Sequence, residues 1–433
     1  MEQVKCSGFW FFPEVEGSSQ PGNLTFNKSK GIELEILEGS PDPRDIFNKE
    51  FHIPLITGIS HNKYYTLYNC HRAGYKLASN GVALARYEAE YLLDGHTFTD
   101  PASICFNEFS LKLPFLQEWF AFNPFSVETD FDNNQQIRKG SVAIESMPSI
   151  VTKASCYTVS IDFPISLSID WHRTRSLTQN INIRVLSDSS KHISVLRKEV
   201  LSVIRGFFAF AMQRAIWPEF ILLKNKHAEE YSGSTENVVT ESVLKFEQPS
   251  WSTQLKKFDQ HDCLFYYPDI KDDFSNILSR WFLVSGKYEA TIDQFFGASY
   301  NKQLFLNHEF LSLIHGIEAF HIDLIGSSKK EKLENRFREV FKYLGEASGF
   351  ITSDVDSFVL SVVQDRHQFS HGKSLGTYGK DYEKLMWRTR QLHLMIEICL
   401  MKEIGLSLDT IRLALERNRS YQFLRSKIQQ LFT

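Results

Sequence analysis

Apolar and polar positions along the chain change their period once. Over the first half, short alternating or β-branched runs recur between turn residues: Gly31 to Leu37, His52 to Ile59, Tyr64 to Asn69, Ser141 to Glu145, Ala154 to Phe163 and Asn180 to Leu186. Successive side chains of a strand point to opposite faces, so these runs predict strands. Clusters such as Ser40-Pro41-Asp42-Pro43 and Asp130 to Gln136 predict turns between them. Gly8-Phe9-Trp10-Phe11-Phe12 reads most simply as a buried strand. A helical stretch from about His192 to Arg214 ends near Trp217-Pro218, and a short apolar run, Phe220 to Leu223, follows. From Glu229 to Ser252 the chain is polar and rich in Ser, Thr and Glu, which predicts a loop or a domain edge.

Beyond Asp269 the helical period takes over, and helices are predicted over 271–296, 302–325, 330–347, 354–371, 381–403 and 407–431. No internal repeat or low-complexity tract interrupts them. The expected class is α+β: a β-rich N-terminal domain over residues 1–265, then an all-α bundle over 266–433.

Composition narrows the options. A chain of 433 residues that is 42% hydrophobic and 23% charged is globular, neither disordered nor fibrous. The most apolar stretch, Ile204 to Trp217, is broken by Arg205 and Arg214, whereas a membrane span needs about 20 apolar residues, so no membrane partner is expected. The start, Met1 to Cys6, lacks the basic-then-apolar order of a secretory signal. Six scattered cysteines without a C-x-x-C pair argue against structural zinc and fit free thiols in a reducing cytoplasm, the expected location. The net charge of -4 hides an asymmetry: residues 301–433 carry 19 Lys and Arg against 16 Asp and Glu. A mildly basic part can approach a polyanion, and chance variation between surfaces accounts for the difference equally well.

The chemistry concentrates near Asp354. Ser353 and Asp356 resemble a capping box, and Val355, Phe358, Val359, Val362 and Val363 form an apolar stripe. Arg366 falls about 20° from Val355, on that stripe, where a guanidinium needs a carboxylate or an opening that admits an anion. Glu318 is a candidate internal partner. His371 follows at about 140° from Arg366 on an ideal helix, but Gly372 can end the helix and let the last turn unwind. An imidazole at such an end is placed to exchange a proton near neutral pH. The bare spacing is unspecific and occurs again at Arg388 and His393, mid-helix with no breaker, where a structural role is expected. Context singles out Arg366 and His371: the capped stripe, the stopping Gly372 and the adjacent Lys373.

Other constellations are weaker. His308-Glu309 and His315 have the wrong spacing for a zinc protease helix, and His308 and His315 are expected on a helix face or in the core. His321, at the edge of the stripe of Leu306, Phe310, Leu313 and Ile317, reads as a core histidine before a site residue. No phosphate-binding glycine loop or nucleophile elbow is present.

Arg366-His367-Gln368-Phe369-Ser370-His371, at the end of a helix in a small bundle, resembles the Arg-polar-x3-His signature of HEPN ribonucleases. Gly316-Ile317-Glu318-Ala319-Phe320-His321 resembles the first long helix of the HEPN domain in ApeA-type anti-phage defence proteins. Gly8-Phe9-Trp10, Gly22-Asn23-Leu24, Gly31-Ile32-Glu33-Leu34, Tyr87-Glu88-Ala89, Gly95-His96-Thr97-Phe98 and Leu116-Gln117-Glu118-Trp119 are similar to the N-terminal domain of the same family; residues 130–265 carry no such likeness. The resemblance implies a HEPN bundle after a sensing or regulatory domain. It also implies a metal-independent endoribonuclease that acts in abortive infection. Arg366 and His371 would be the catalytic pair, His367, Glu318 and His321 supporting residues and Lys373 a substrate contact. It implies no metal and no cofactor. The implied partners are RNA, with tRNA among the candidates, a phage-encoded trigger, and a second copy of the chain, since HEPN sites are composite across a homodimer or higher oligomer. The competing reading is a non-catalytic HEPN scaffold in which Arg366 is a structural ion pair.

Overall fold

The structure, a computed structural model, describes residues 3–13, 19–38, 52–77, 83–170, 174–231, 234–250, 257–301, 304–326, 331–370 and 380–431. Six antiparallel strands open it: β1 (Gln3–Phe11), β2 (Ser19–Asn27), β3 (Gly31–Glu38), β4 (His52–Ser60), β5 (Lys63–Leu77) and β6 (Ala83–Asp94). They pair in the order β6-β3-β2-β1-β4-β5, and β5 returns to β6, so the sheet closes into a barrel. Trp10, Leu24, Phe26, Ile36 and Leu67 fill the interior. The Phe9-Trp10-Phe11 run is therefore buried on one face only: Trp10 points in, while Phe9 is 58% exposed, because strand residues alternate. Trp10 pairs with Gly58, whose missing side chain makes room for the indole; a Cβ there would sit 2.2 Å from the ring.

From β6 the sheet runs on through β16 (Ser234–Lys245), β15 (Phe220–Tyr231), β7 (Cys105–Lys112), β14 (Asn182–His192), β11 (Tyr157–Asp162) and β10 (Ile150–Ala154). The polar segment expected to be a loop after Glu229 thus contains a strand. Pairing of β16 with β15 and β6 supplies backbone partners that composition does not reveal. Two hairpins, β8 (Phe125–Phe131) with β9 (Ile137–Ile144) and β12 (Ile165–Asp170) with β13 (Thr174–Gln179), form separate two-stranded sheets. The predicted turn before Gln136 joins the first pair, with the Asp132 side chain accepting from the Asn134 and Gln136 amides. The Ser40 to Pro43 turn lies outside the described residues.

The helices include α1 (Leu116–Phe120), α2 (Ser202–Met212), α3 (Phe274–Lys287), α4 (Glu289–Tyr300), α5 (Leu306–Ile325), α6 (Leu333–Leu344), α7 (Val355–Ser370), α8 (Lys380–Glu403), α9 (Leu408–Arg417) and α10 (Arg419–Leu431), besides single turns such as Ile193–Leu196 and Tyr267–Ile270. The helix expected over 271–296 is broken at Tyr288, which leaves helical geometry and stacks on Phe320, ring centroids 4.7 Å apart. The one expected over 407–431 is broken at Asn418, whose Oδ1 accepts from the Tyr421 amide and starts α10. Every residue of α8 from Gln391 to Met401 is buried, the mark of a central helix.

One continuous core joins the sheet to the bundle. Phe207, Phe208 and Phe210 of α2 share it with Phe109 and Ile183 of the sheet and with Phe274 and Trp281 of α3. Trp119 Nε1 donates to Phe265 O at 2.9 Å and Trp281 Nε1 to Val203 O at 2.8 Å, so both indoles bury their rings without leaving a donor unpaired. No helix among the described residues is long and apolar enough to cross a membrane.

Candidate functional site

Helix α7 begins one residue later than the sequence suggests. Its cap is Asp354, whose carboxylate accepts from the Ser357 amide at 3.0 Å, and Thr352 Oγ1 in turn accepts from the Asp354 amide at 3.2 Å. Asp356 does not fold back as a capping-box partner for Ser353; it pairs with Arg338 of α6. The predicted stripe is present. Val359 and Val362 are fully buried, and Phe358 packs edge-on against Phe341 of α6 at 5.7 Å.

Past Val362 the stripe leaves the interior. Arg366 is half-buried, and among the described residues it makes no hydrogen bond or ion pair. The residue before it behaves differently: Asp365 pairs with Arg388 of α8, both largely buried. The second Arg-x4-His spacing is thereby accounted for, because His393 also has a carboxylate, with Nε2 at 2.9 Å from Glu309 Oε1. Burial pushes the Glu309 carboxyl up, but the His393 hydrogen bond, the His393 charge and Arg390 outweigh it and hold the group below its ordinary range. Next to Glu309, Phe310 meets Phe369 of α7 with centroids 5.8 Å apart. The start of α5 is thus fastened both to α8 and to the end of α7 that carries Arg366.

The remaining candidates separate into two places and one gap. His367 is exposed beside Arg366. His371 and Lys373, with the helix-stopping Gly372, lie outside the described residues. Glu318 is half-buried and makes no pair with Arg366. It sits eight residues along α5 from Phe310, a rise of about 12 Å. His321 lies about 16 Å along from Phe310, is fully buried, and bonds through Nε2 to Glu339 of α6, while its Nδ1 is buried without a partner among the described residues. It is a core histidine, away from the Arg366 end. His308 and His315 are exposed on α5. No group of three or more metal-ligating side chains occurs among the described residues.

Sequence reasoning did not assign Asp365 and Glu309 their partners on α8. Each is a carboxylate opposite a basic residue of α8, and only the packing of α5, α7 and α8 makes the pairing visible. The Arg366 guanidinium, with its five donors, has no acceptor among the described residues, while the preceding Asp365 is already paired.

Comparison with known families matches residues 5–281 to ApeA N-terminal domain 1 and residues 299–410 to the Apea-like HEPN domain. The second match includes Arg366 and His371. No curated protein and no solved structure matches the chain.

Proposed function

Because the chain belongs to the ApeA family of HEPN-containing defence proteins, we propose that its helical domain is a metal-independent endoribonuclease acting in anti-phage defence through Arg366 and His371. The observation that carries this reading is the contrast between neighbours: Asp365 is neutralised by Arg388, whereas Arg366 has no acceptor among the described residues.

RNA brings its own nucleophile, the 2′-OH beside the scissile phosphate. His371 accepts that proton as general base, or protonates the departing 5′-oxygen as general acid. Arg366 is charged at any working pH and forks onto two phosphate oxygens, offsetting the charge that builds during displacement. The attack makes a cyclic phosphate and frees a 5′-hydroxyl, so no external nucleophile or metal-bound water is required. DNA lacks the 2′-OH and stays intact. In this reading the site is composite, with two copies of the motif facing each other in a homodimer or larger assembly. The part before about residue 265 senses a phage-derived trigger, and tRNA is one candidate substrate.

The test uses the full chain with end-labelled tRNA, mRNA and DNA, in EDTA. Cleavage of RNA alone is expected, lost in His371→Ala and Arg366→Ala with unchanged melting curves. Cleavage retained by His371→Ala rejects the assignment.

A further inference from the structure

A cavity of about 1250 Å³ lies where α2 meets the helical part. Trp387, Arg390, His393 and Glu397 of α8 line it, Gln213 enters from the end of α2, and Phe423 of α10 borders it. At about 100° per residue the four α8 positions centre nearly opposite Arg388. Helix α8 therefore turns one side to Asp365 and the opposite side to this cavity, whose lining does not include Arg366.

Its lining has an uncommon mixture. Trp387 and Phe423 meet edge-on, centroids 5.3 Å apart, and give planar apolar surface. Arg390 is more than half exposed and is held only loosely, 3.9 Å from Glu309. Glu397 is nine-tenths buried. Gln213 Nε2 donates to its Oε1 at 2.8 Å, while Oε2 has no partner among the described residues. Burial pushes this carboxyl up, against the lowering effect of His393, Gln213 and Arg390. A largely buried carboxyl with one oxygen left unpaired among the described residues suits a ligand with ring nitrogens or hydroxyls.

We propose that this cavity binds a nucleotide: a planar heterocycle against Trp387 and Phe423, hydrogen-bonded by Glu397, with its phosphate toward Arg390. The volume exceeds the roughly 300–1,000 Å³ typical of small-molecule sites, enough for a mono- or dinucleotide. The ligand would touch α2 and α8 together and so link the first part of the chain to the bundle. Binding here goes beyond the nuclease reading and does not depend on it.

The test is isothermal titration of the full chain with ATP, GTP and cyclic di-AMP. Saturable binding of at least one of them, one per chain, is expected. Arg390→Ala and Phe423→Ala, both at exposed side chains, should weaken it at least tenfold, and Arg412→Ala, outside the cavity, should not. The proposal is overturned if none of the three binds, or if binding is indifferent to Arg390→Ala and Phe423→Ala. It is also overturned if only single-stranded RNA binds in an Arg390-dependent way, which would make this a substrate surface. RNA cleavage is not a readout, so failure here leaves the nuclease reading standing, and the reverse.

Discussion

Asp365 of α7 is ion-paired with Arg388 of α8, while Arg366, the next residue along α7, makes no such pair among the described residues. Removing one partner of a buried pair strands the other charge, at a cost of order 3 kcal/mol. Asp365→Ala and Arg388→Ala should each lower stability by about that amount in urea unfolding, and the double variant should cost less than their sum. Arg366→Ala, which removes no described contact, should stay within about 0.5 kcal/mol of the parent.

Arg366→Lys keeps the charge and loses the fork. Under the nuclease reading, single-turnover cleavage should fall about 10²-fold, the scale of one removed donor to a developing oxyanion, with a smaller change in RNA affinity. His371→Ala should cost about 10²–10⁴-fold, the range of a positioned proton-transfer group. An Arg366→Lys enzyme as fast as the parent would show that the guanidinium geometry plays no part.

Glu309 and Glu397 should respond to pH with opposite signs. Glu309 is held below the usual carboxylate value of 4.5, so its contribution is complete above that value and lost as pH falls through its lower folded value. Glu397 is shifted up, so the penalty for its charge is absent in acid and grows as pH rises from 4.5 through its folded value. Melting curves should therefore show Glu309→Gln destabilised at pH 7 and closer to the parent in acid. Glu397→Gln should be stabilised at pH 7, by on the order of 1 kcal/mol, with the gain shrinking toward pH 4.

Gly58→Ala should destabilise the barrel, because its Cβ would overlap the Trp10 indole from the paired strand. Overpacking of this kind costs about 1–3 kcal/mol. A Trp10→Phe change in the same chain should recover part of the loss in thermal melts, since the smaller ring vacates the contested space.

Period and turn chemistry were enough to place the β-rich half, the helical half and the α7 stripe, because each depends on which face of one element is buried. Sequence order also separated the two Arg-x4-His pairs: Arg388 and His393 sit mid-helix, and both are tied to carboxylates. What pattern could not carry was anything decided between elements. Closure of β5 onto β6 is a register fact, not a local one. The polar β16 becomes a strand through its neighbours. Tyr288 and Asn418 break long helical patterns because of what they meet, Phe320 in one case and Cys263 and Gln213 in the other. The Asp354 cap replaced the expected Ser353 by one position, a difference that depends on loop geometry.

The core shared by α2 and α3 bears on how such a chain could be switched. Phe207, Phe210, Trp119 and Trp281 interlock across the junction, so a protease nick near residue 265 would leave both pieces clasped together, their apolar faces still matched. A single cut there would therefore not by itself release either part. Under the proposed reading, any signal passing from the first part of the chain to the helical part crosses this packed seam while the two stay in contact.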